Sequence, residues 1–291
     1  MAVLTWDGVG EKIYETGVDH GVLYILNPSN GLYDTGVAWN GLTAVNEKPA
    51  GASANPTFAD NIKYANLISA ETFGGTIQAY TFPPEFEPCD GIDAPAAGVS
   101  VGQQDRATFG MCYRTQIGND VDSSLGFKLH LVYGALAVPS EKDYATINDS
   151  PAPVAFSWDF NCTPAPFSAG KPTSLITIDS TDVDSAALSA LEDFLYGTGG
   201  SSPSLPPPDS VAALFTGAIT HITLTAPTFD GAHTITIPSE TGVTYRVDGV
   251  VHAAGTQLLT TGQSKIVTAT PNAGYVFNQP FVDRWMFTFV S

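Results

Sequence analysis

The amino-acid sequence predicts a mostly β protein with one flanking α-helix, followed by a small C-terminal β-sandwich of the immunoglobulin-like (Ig-like) type. Only 14% of the 291 residues are charged, whereas the chain holds 28 Gly and 21 Pro. This composition is typical of proteins with many strands and turns. Apolar and polar side chains alternate through residues 126–134 and 154–160, which is the period of a half-buried strand. A convincing helical pattern occurs once, after Asp184.

The first domain is predicted to be organised around a strand over residues 76–82. This stretch lies between the breaker pairs Gly74–Gly75 and Pro83–Pro84. Residues 61–69 are also rich in β-forming side chains, and we expect them to pair with this strand. Similar runs predict further strands of the same sheet over residues 21–26, 106–117, 126–134, 154–160 and 173–178.

One amphipathic helix is expected to cover this sheet. Asp184 is a good N-cap residue and Gly197 occupies the C′ position, so these two residues predict the ends of the helix. The apolar side chains between them fall on one stripe, formed by Ala187, Leu188, Leu191, Phe194 and Leu195.

The chain is predicted to contain two domains joined by a linker. Residues 198–212 are rich in Gly, Ser and Pro, a composition that predicts a flexible linker without a packed core. The domain before the linker covers residues 1–197, and the domain after it covers residues 213–291. Short strand candidates recur at regular spacing in the second domain, as in a β-sandwich: residues 219–225, 233–237, 244–247, 265–269 and 285–290.

Residues 36–60 form a long segment that is rich in Ala, Gly, Asn and Pro and has no helical period. A segment of this length within a compact domain is either functional or disordered. Because Trp39 and Phe58 lie near its ends, we interpret it as an arm or extended hairpin that packs on something outside its own domain. The alternative is a surface loop that packs on its own domain.

The negative charge of the chain is concentrated in its first part. The formal net charge is −18, and the first 200 residues hold 8 basic and 24 acidic residues, which gives −16. Proteins bind nucleic acid mainly through contacts of Lys and Arg with phosphates, so this distribution argues against nucleic-acid binding. It favours either solubility alone or a surface that stays unattached to a polyanion.

The sequence contains no recognisable catalytic site. It has no P-loop, no GxGxxG after a strand, no GxSxG and no HExxH. Glu85 and Glu87 lie in a predicted loop and are expected to be solvated. None of the five histidines has metal-ligand spacing, and His130 is expected in solvent or at an interface because it lies opposite the core face of its strand. We therefore expect no enzyme activity, no cofactor and no metal.

The cysteines and the N-terminus indicate a protein that is made in a cytoplasm. The odd set Cys89, Cys112 and Cys162 has no regular spacing, so we expect three free thiols. The N-terminus lacks the basic and apolar regions of a secretory signal. The longest apolar run, residues 129–138, is far shorter than a membrane span, and we expect no association with a membrane.

Several blocks of the sequence resemble the major tail protein (tail tube protein) of long-tailed bacteriophages of Gram-positive hosts. The blocks follow one another between residues 5 and 197 and include ADNIKYANLISAETFGGTIQAYTFPPEFEPCDG, GQQDRATFGMCYRTQIGND, GFKLHLVYGALAVPSEKDYATINDSPAPVAFSWDF and SLITIDSTDVDSAALSALEDFLYG. Residues 36–60 resemble a loop region of that family. The C-terminal domain resembles the Ig-like modules that are often appended to such proteins.

The resemblance implies a tail-tube β-sandwich or barrel with one flanking helix. Copies of such a protein close into rings, usually of six, which stack into a hollow tube for the genome. The residues that would contact neighbouring subunits or rings are Trp39, Asn40, Leu42, Pro49 and Phe58. The implied partners are further copies of the chain and the tail tip or baseplate, tape measure and tail terminator proteins.

The resemblance also implies where the charged surface and the second domain lie. Double-stranded DNA would pass through the lumen without specific binding, because carboxylates of the first domain would line the wall and repel phosphate. The C-terminal module would decorate the outside. The protein would be assembled in the host cytoplasm and would become part of the virion.

A carbohydrate-binding or adhesive surface protein built from β-sandwich modules is the alternative function. In that case Trp39, Tyr80 and Trp285 would provide flat rings on which sugars stack, and the Ser and Thr content would fit as well. The absence of a recognisable secretion signal or wall anchor argues against it.

Overall fold

The computed structural model describes residues 6–144, 146–147, 149, 153–216, 220–272, 274–278 and 282–289. Ile219 and Val290, each at the end of a predicted strand, lie outside the described residues. The protein is mostly β, as the sequence predicts. The strands of its first part are β1 (Tyr14–Ile25), β2 (Val37–Ala38), β3 (Leu42–Glu47), β4 (Ala50–Gly51), β5 (Ala54–Ala59), β6 (Ile62–Ile68), β7 (Glu71–Thr72), β8 (Gly74–Ala79), β9 (Asp93–Ala96), β10 (Val99–Val101), β11 (Phe109–Gly118), β12 (Gly126–Ala137), β13 (Phe156–Cys162) and β14 (Leu175–Asp179).

Helices and a second group of strands follow. The helices are α1 (Ser185–Tyr196) and α2 (Pro208–Leu214), and a short 3₁₀ turn spans Pro84–Phe86. None of the described helices is long and apolar enough to cross a membrane. The later strands are β15 (Thr220–Ile222), β16 (Thr228–Phe229), β17 (Thr234–Ile237), β18 (Val243–Val247), β19 (Val250–Val251), β20 (Gly255–Leu258), β21 (Ser264–Pro271), β22 (Tyr275–Phe277) and β23 (Arg284–Thr288).

The largest sheet has the strand order β2–β1–β11–β12–β13–β8–β3, and its pairings are antiparallel. The strand β14 pairs with residues 128–132 of β12, whereas β13 pairs with residues 135–137 of the same strand. Among the described residues the path ends at β2 and β3, so the sheet is open and does not close into a barrel.

Two cores lie on the two faces of this sheet, because side chains alternate along each strand. On one face the rings of Trp39, Phe86, Phe109 and Trp158 pack together, with the Trp39 and Phe86 centroids 4.6 Å apart. On the other face, alternate residues of β12 pack against the helices. The strand β12 is therefore buried on both faces, whereas its sequence pattern predicts a half-buried strand.

The predicted partner of the organising strand is wrong. Residues 62–68 form β6, which pairs with β5, whereas β8 lies between β3 and β13. Gly74 and Gly75 are the first two residues of β8, so they do not separate it from the preceding residues as predicted. Glycine fits here because β3 approaches closely: a Cβ on Gly75 would lie 2.4 Å from the carbonyl oxygen of Asn46. Glycine within a strand often marks such an approach.

The helix α1 confirms the predicted cap and most of the apolar stripe, but Phe194, which was predicted on that stripe, is 49% exposed. The Asp184 carboxylate accepts hydrogen bonds from the backbone N–H groups of Ala186 and Ala187, and Gly197 follows the last turn at φ 77°. Leu188, Leu191 and Leu195 are buried against the sheet, as expected for its apolar stripe.

The prediction that residues 198–212 form a flexible linker without a packed core is wrong. Its second half packs on the first domain, where Leu205 and Val211 are buried, and Pro208 begins the second helix α2. Composition misleads here because Pro is favoured in the first turn of a helix. Hydrogen bonds also hold the segment, since Pro206 accepts from Tyr133 Oη and Pro203 accepts from the Gly36 N–H.

The described part of the C-terminal region has three sheets around one core. Two are antiparallel, with the orders β16–β17–β20 and β19–β18–β21–β23, and the third is the parallel pair β15–β22. Ile235 and Ile237 of the first sheet pack against Tyr245 and Val267 of the second. This region also contacts the first domain, because the Asp184 carboxylate accepts a hydrogen bond from the backbone N–H of Gly274.

Candidate assembly surface

A long β-hairpin runs from Leu42 to Ala79. Its inner part belongs to the main sheet, and its outer part projects beyond that sheet. Three pairings follow one another outward: β3 with β8, β4 with β7, and β5 with β6. The outer part, residues 50–72, is called the arm below. The prediction of an extended hairpin is thus confirmed. The prediction that its returning strand β6 lies in the core of the sheet is wrong.

The turn at the end of the arm is determined by two residues. Asp60 and Asn61 lie between the paired residues Ala59 and Ile62, and their φ angles are 51° and 64°. Two-residue hairpin turns of type I′ need positive φ at both positions, and Asp and Asn tolerate this conformation better than most residues. The sequence thus encodes a tight reversal at this point.

The arm bends near its base. Gly51 and Ala52 have φ angles of 85° and 51°, and the regular ladder is interrupted between β4 and β5. Ser53 keeps the two sides together, because its N–H donates to Ser69 Oγ at 3.1 Å and its carbonyl oxygen accepts from the Ser69 N–H at 3.3 Å. An alanine with positive φ is unusual, so the bend is a specific feature of this segment.

Large apolar side chains are exposed on the arm. Their exposed fractions range from 60% to 76%, and the residues are Phe58, Ile62, Tyr64, Leu67 and Ile68. Scattered exposed apolar residues are normal, but five large ones on one projecting hairpin indicate an interaction site. Sequence reasoning singled out only Phe58, because residues 61–69 were expected in the core.

A cluster of polar side chains fixes the base of the arm on the main sheet. Glu47 is the last residue of β3, and its Oε1 atom accepts a hydrogen bond from Tyr113 Oη at 2.6 Å. The same oxygen lies 3.0 Å from His130 Nδ1. The His130 ring is stacked on the Tyr113 ring, with centroids 4.7 Å apart and an interplanar angle of 4°.

The other side of the His130 ring faces a second carboxylate. Thr115 Oγ1 lies 3.0 Å from His130 Nε2 and donates to Glu15 Oε1 at 2.5 Å. Glu15 Oε1 is itself 3.6 Å from His130 Nε2, and Glu15 Oε2 accepts from Lys128 Nζ at 2.8 Å. The prediction of a solvated or interface His130 is wrong, since only 8% of this residue is exposed.

Both carboxylates have lowered pKa values. For Glu47 the hydrogen bond from His130 is the largest cause, and burial opposes it in part. For Glu15 burial is the largest contribution and acts to raise the pKa, but the hydrogen bonds from Lys128 and Thr115, together with the neighbouring positive charge, outweigh it. The stabilisation from these carboxylates is therefore present above their ordinary pKa and is lost as the pH falls through the lowered values.

The predicted contact residues fall into two groups. Trp39 is only 3% exposed, so the prediction that it contacts a neighbouring subunit is wrong, whereas Leu42 is partly buried against the same core and its predicted contact stays a prediction. Their rings and methyl groups fill the core beneath the sheet, and Trp39 Nε1 donates to the Thr81 carbonyl oxygen at 3.0 Å. Asn40, Pro49 and Phe58 are exposed.

The three aromatic residues of the alternative function differ in exposure. Trp39 is buried, Trp285 is partly buried against the C-terminal core, and Tyr80 is 52% exposed. Within the described ranges no group of three or more His, Cys, Asp or Glu side chains could hold a metal ion. Cys89 and Cys112 are buried, and burial raises the pKa of the partly buried Cys162 thiol to about 12.

The chain matches no protein-family model and no curated protein.

Proposed function

We propose that the chain is a structural protein that assembles with copies of itself into the tube of a long-tailed phage tail. The observation that carries the proposal is the arm, an apolar hairpin that projects from a folded domain. The sequence blocks that resemble major tail proteins support the same function. In this proposal the arm packs on a neighbouring copy, in the same ring or in the next one.

The energetics of the arm favour a partner. A two-stranded hairpin is at best marginally stable alone in water. The arm is two strands wide within the described residues, and it exposes five large apolar side chains. Burying such side chains stabilises a protein by about 1.5–3 kcal/mol each. A neighbouring copy would thus stabilise both the fold of the arm and the assembly.

The charge distribution fits a wall that does not bind DNA. Of the eight basic side chains among the first 200 residues, five form salt bridges with carboxylates: Lys48, Arg106, Arg114, Lys128 and Lys142. Most carboxylates of this domain stay uncompensated, so its surface repels phosphate over about 8 Å at physiological salt. DNA could then move through a lumen without specific contacts.

The C-terminal domain is assigned to the outside of the tube. Its charge is close to neutral, with three basic and five acidic residues after residue 200. Because α2 belongs to the core of the first domain, a deletion that tests this assignment begins after residue 216. The shortened chain is expected to form tubes.

Electron microscopy of the purified full chain over a concentration series tests the proposal. The wild type is expected to form tubes or stacked rings. The variant Phe58→Ser/Ile62→Ser/Tyr64→Ser removes apolar area from the arm only, and we expect it to stop at monomers or single rings.

A matched control makes the same change elsewhere. Val250→Ser/Val251→Ser/Met286→Ser replaces three exposed apolar residues of the C-terminal domain, and this variant is expected to assemble as the wild type does. Normal tubes from the arm variant would contradict the role of the arm. A wild type that stays monomeric at every concentration would contradict the proposed function.

A further inference from the structure

A cleft lies at the base of the arm, beside the start of β14. One wall comes from the hairpin, at residues 47, 49 and 70–73, and the other comes from residues 164 and 171–175. The volume of the cleft is about 740 Å³, which is within the range of pockets that bind ligands. The cleft can therefore accept several side chains of a partner.

The lining of the cleft suits an apolar partner. Three of its residues are exposed prolines and two are half-buried apolar residues: Pro49, Pro164, Pro172, Phe73 and Leu175. The large apolar side chains of the arm are 60–76% exposed, so they do not fill the cleft of their own chain. Each copy thus has an apolar arm and an apolar cleft that do not meet within it.

Two lysines on these surfaces have no carboxylate partner. Five of the eight basic residues among the first 200 form salt bridges, which leaves Lys12, Lys63 and Lys171 without one in the part of the chain that the structure describes. Lys63 lies on β6 of the arm, and Lys171 lines the cleft. Both ammonium groups are therefore free to pair with carboxylates of another copy.

Two carboxylates complement these lysines. Asp60 lies in the turn of the arm and Glu71 lines the cleft, and neither belongs to a salt bridge among the described residues. The remaining charged residue of the cleft, Glu47, is already hydrogen-bonded to the main sheet. The outer strands of the arm and the cleft thus each offer one free acid and one free base. Complementary charges of this kind select a partner and its orientation.

We propose that the cleft receives the arm of a neighbouring copy, with Lys63 facing Glu71 and Asp60 facing Lys171. The inference rests on the proposed function, to which it adds the surface that receives the arm. Because the arm and the cleft are different surfaces of one chain, the contact is heterologous, and every copy can insert an arm and receive one. Contacts of this type continue from copy to copy in rings and filaments.

Cross-linking between two kinds of full-length chain tests the contact. One chain carries Asn66→Cys on the arm, and the other carries Pro172→Cys at the cleft. Both residues are exposed, so the two variants should fold as the wild type does. A bifunctional maleimide is expected to join an arm chain to a cleft chain in the mixture, whereas chains of either kind alone should give little product.

The native thiols and an unrelated surface position provide the controls. The thiolate is the reactive form of cysteine, and burial raises the pKa of Cys162 to about 12, so the wild type should react slowly. Val251→Cys places a thiol at a residue of the C-terminal domain that is 62% exposed. It should not be joined to the arm chain. A yield with Val251→Cys equal to that with Pro172→Cys would overturn the proposal.

Charge reversal in the same mixtures tests the orientation. Lys63→Glu in the arm chain places like charges together, and below saturation it should lower the yield roughly threefold, as expected for an exposed ion pair. Glu71→Lys in the cleft chain should then restore the yield. A yield that does not fall with the first change, or that the second change does not restore, would overturn the proposed pairing.

The remaining outcomes separate this inference from the proposed function. A dilute chain with both cysteines that cross-links within itself would show that its own arm occupies the cleft, which would overturn the inference. Wild-type tubes without the mixed product would also overturn it, but they would support the proposed function. The mixed product without tubes at any concentration would refute the proposed function and support the contact between arm and cleft.

Discussion

The inner and outer halves of one hairpin behave as two different kinds of structure. In the inner half, β8 lies between two strands of the main sheet, and Ile77 and Ala79 are buried. In the outer half, β5 and β6 pair with each other, and Phe58 and Tyr64 are exposed. Both halves have strand-forming sequences, so the difference arises from what lies beside them.

This contrast separates folding from assembly. The inner half contributes apolar burial and cross-strand contacts to the stability of the domain. The outer half contributes little of either to the isolated chain. Its apolar side chains would stabilise the protein only if another surface buried them. Substitutions in the two halves should therefore change different measurements.

The largest expected difference in stability is between variants of Trp39, which lies just before β3, and of Phe58, which lies on the arm. Trp39→Ala removes a buried ring and the hydrogen bond from its Nε1 atom, and we expect it to lower the free energy of unfolding by about 3–5 kcal/mol. Phe58→Ala removes a ring that is 70% exposed, and its effect should stay within about 0.5 kcal/mol. Urea unfolding followed by circular dichroism measures both.

For assembly we expect the opposite order of effects. Phe58→Ala should weaken tube formation although the protein stays folded. Equal losses of stability in the two variants would show that the arm packs on its own domain in solution, and the contrast between the halves would then fail.

A smaller effect is expected from the close approach within the inner half. Gly75→Ala places a Cβ 2.4 Å from the Asn46 carbonyl oxygen and 2.7 Å from the Phe160 ring. Overpacking of this kind costs about 1–3 kcal/mol. Gly102→Ala is the matched control, because no heavy atom lies within 4 Å of its added methyl group. Thermal unfolding of both variants should show a lower midpoint for the first and little change for the second.

The smallest effect is expected at the contact between the sheet domain and the C-terminal domain. Asp184→Ala removes the N-cap of α1 and the hydrogen bond from Gly274, and the loss of such a cap costs about 0.5–2 kcal/mol. The exposed Asp182 is the control position, and Asp182→Ala should have little effect. Chemical unfolding at several pH values measures both changes.

The pH dependence of this last effect has a definite sign. The hydrogen bond from the Gly274 N–H is the largest cause of the lowered pKa of Asp184. The stabilisation is therefore complete above the ordinary aspartate pKa and disappears as the pH falls through the lowered value. A difference between Asp184→Ala and the wild type that persists in strong acid would exclude the carboxylate as its source.

Sequence patterns predicted the local elements well and their neighbours poorly. The cap at Asp184, the buried leucines of α1 and the alternation around Trp158 are present as expected, because each depends on residues close in the chain. The placement of residues 61–69 in the core was wrong. The Asp60–Asn61 turn between two strand-like runs was a signal for a separate hairpin, and the apolar content of β6 concealed it.

The candidate site was predictable only in outline. Phe58 and the idea of an arm follow from the length and aromatic content of residues 36–60. The cluster at His130 could not be predicted, because it joins residues from four strands that are up to 115 positions apart in the chain, from Glu15 to His130. No local pattern shows that two carboxylates will face one imidazole ring.

Residue type and short spacing were sufficient to predict that this chain is mostly β, where its capped helix begins and ends, and that its first 200 residues carry a net charge of −16. The burial of Trp39, the contribution of residues 198–212 to a core, and the exposure of apolar β6 on the arm became evident only from the folded chain. The physical reason is that burial depends on which distant strands come together, and a strand-forming segment carries no record of its neighbours.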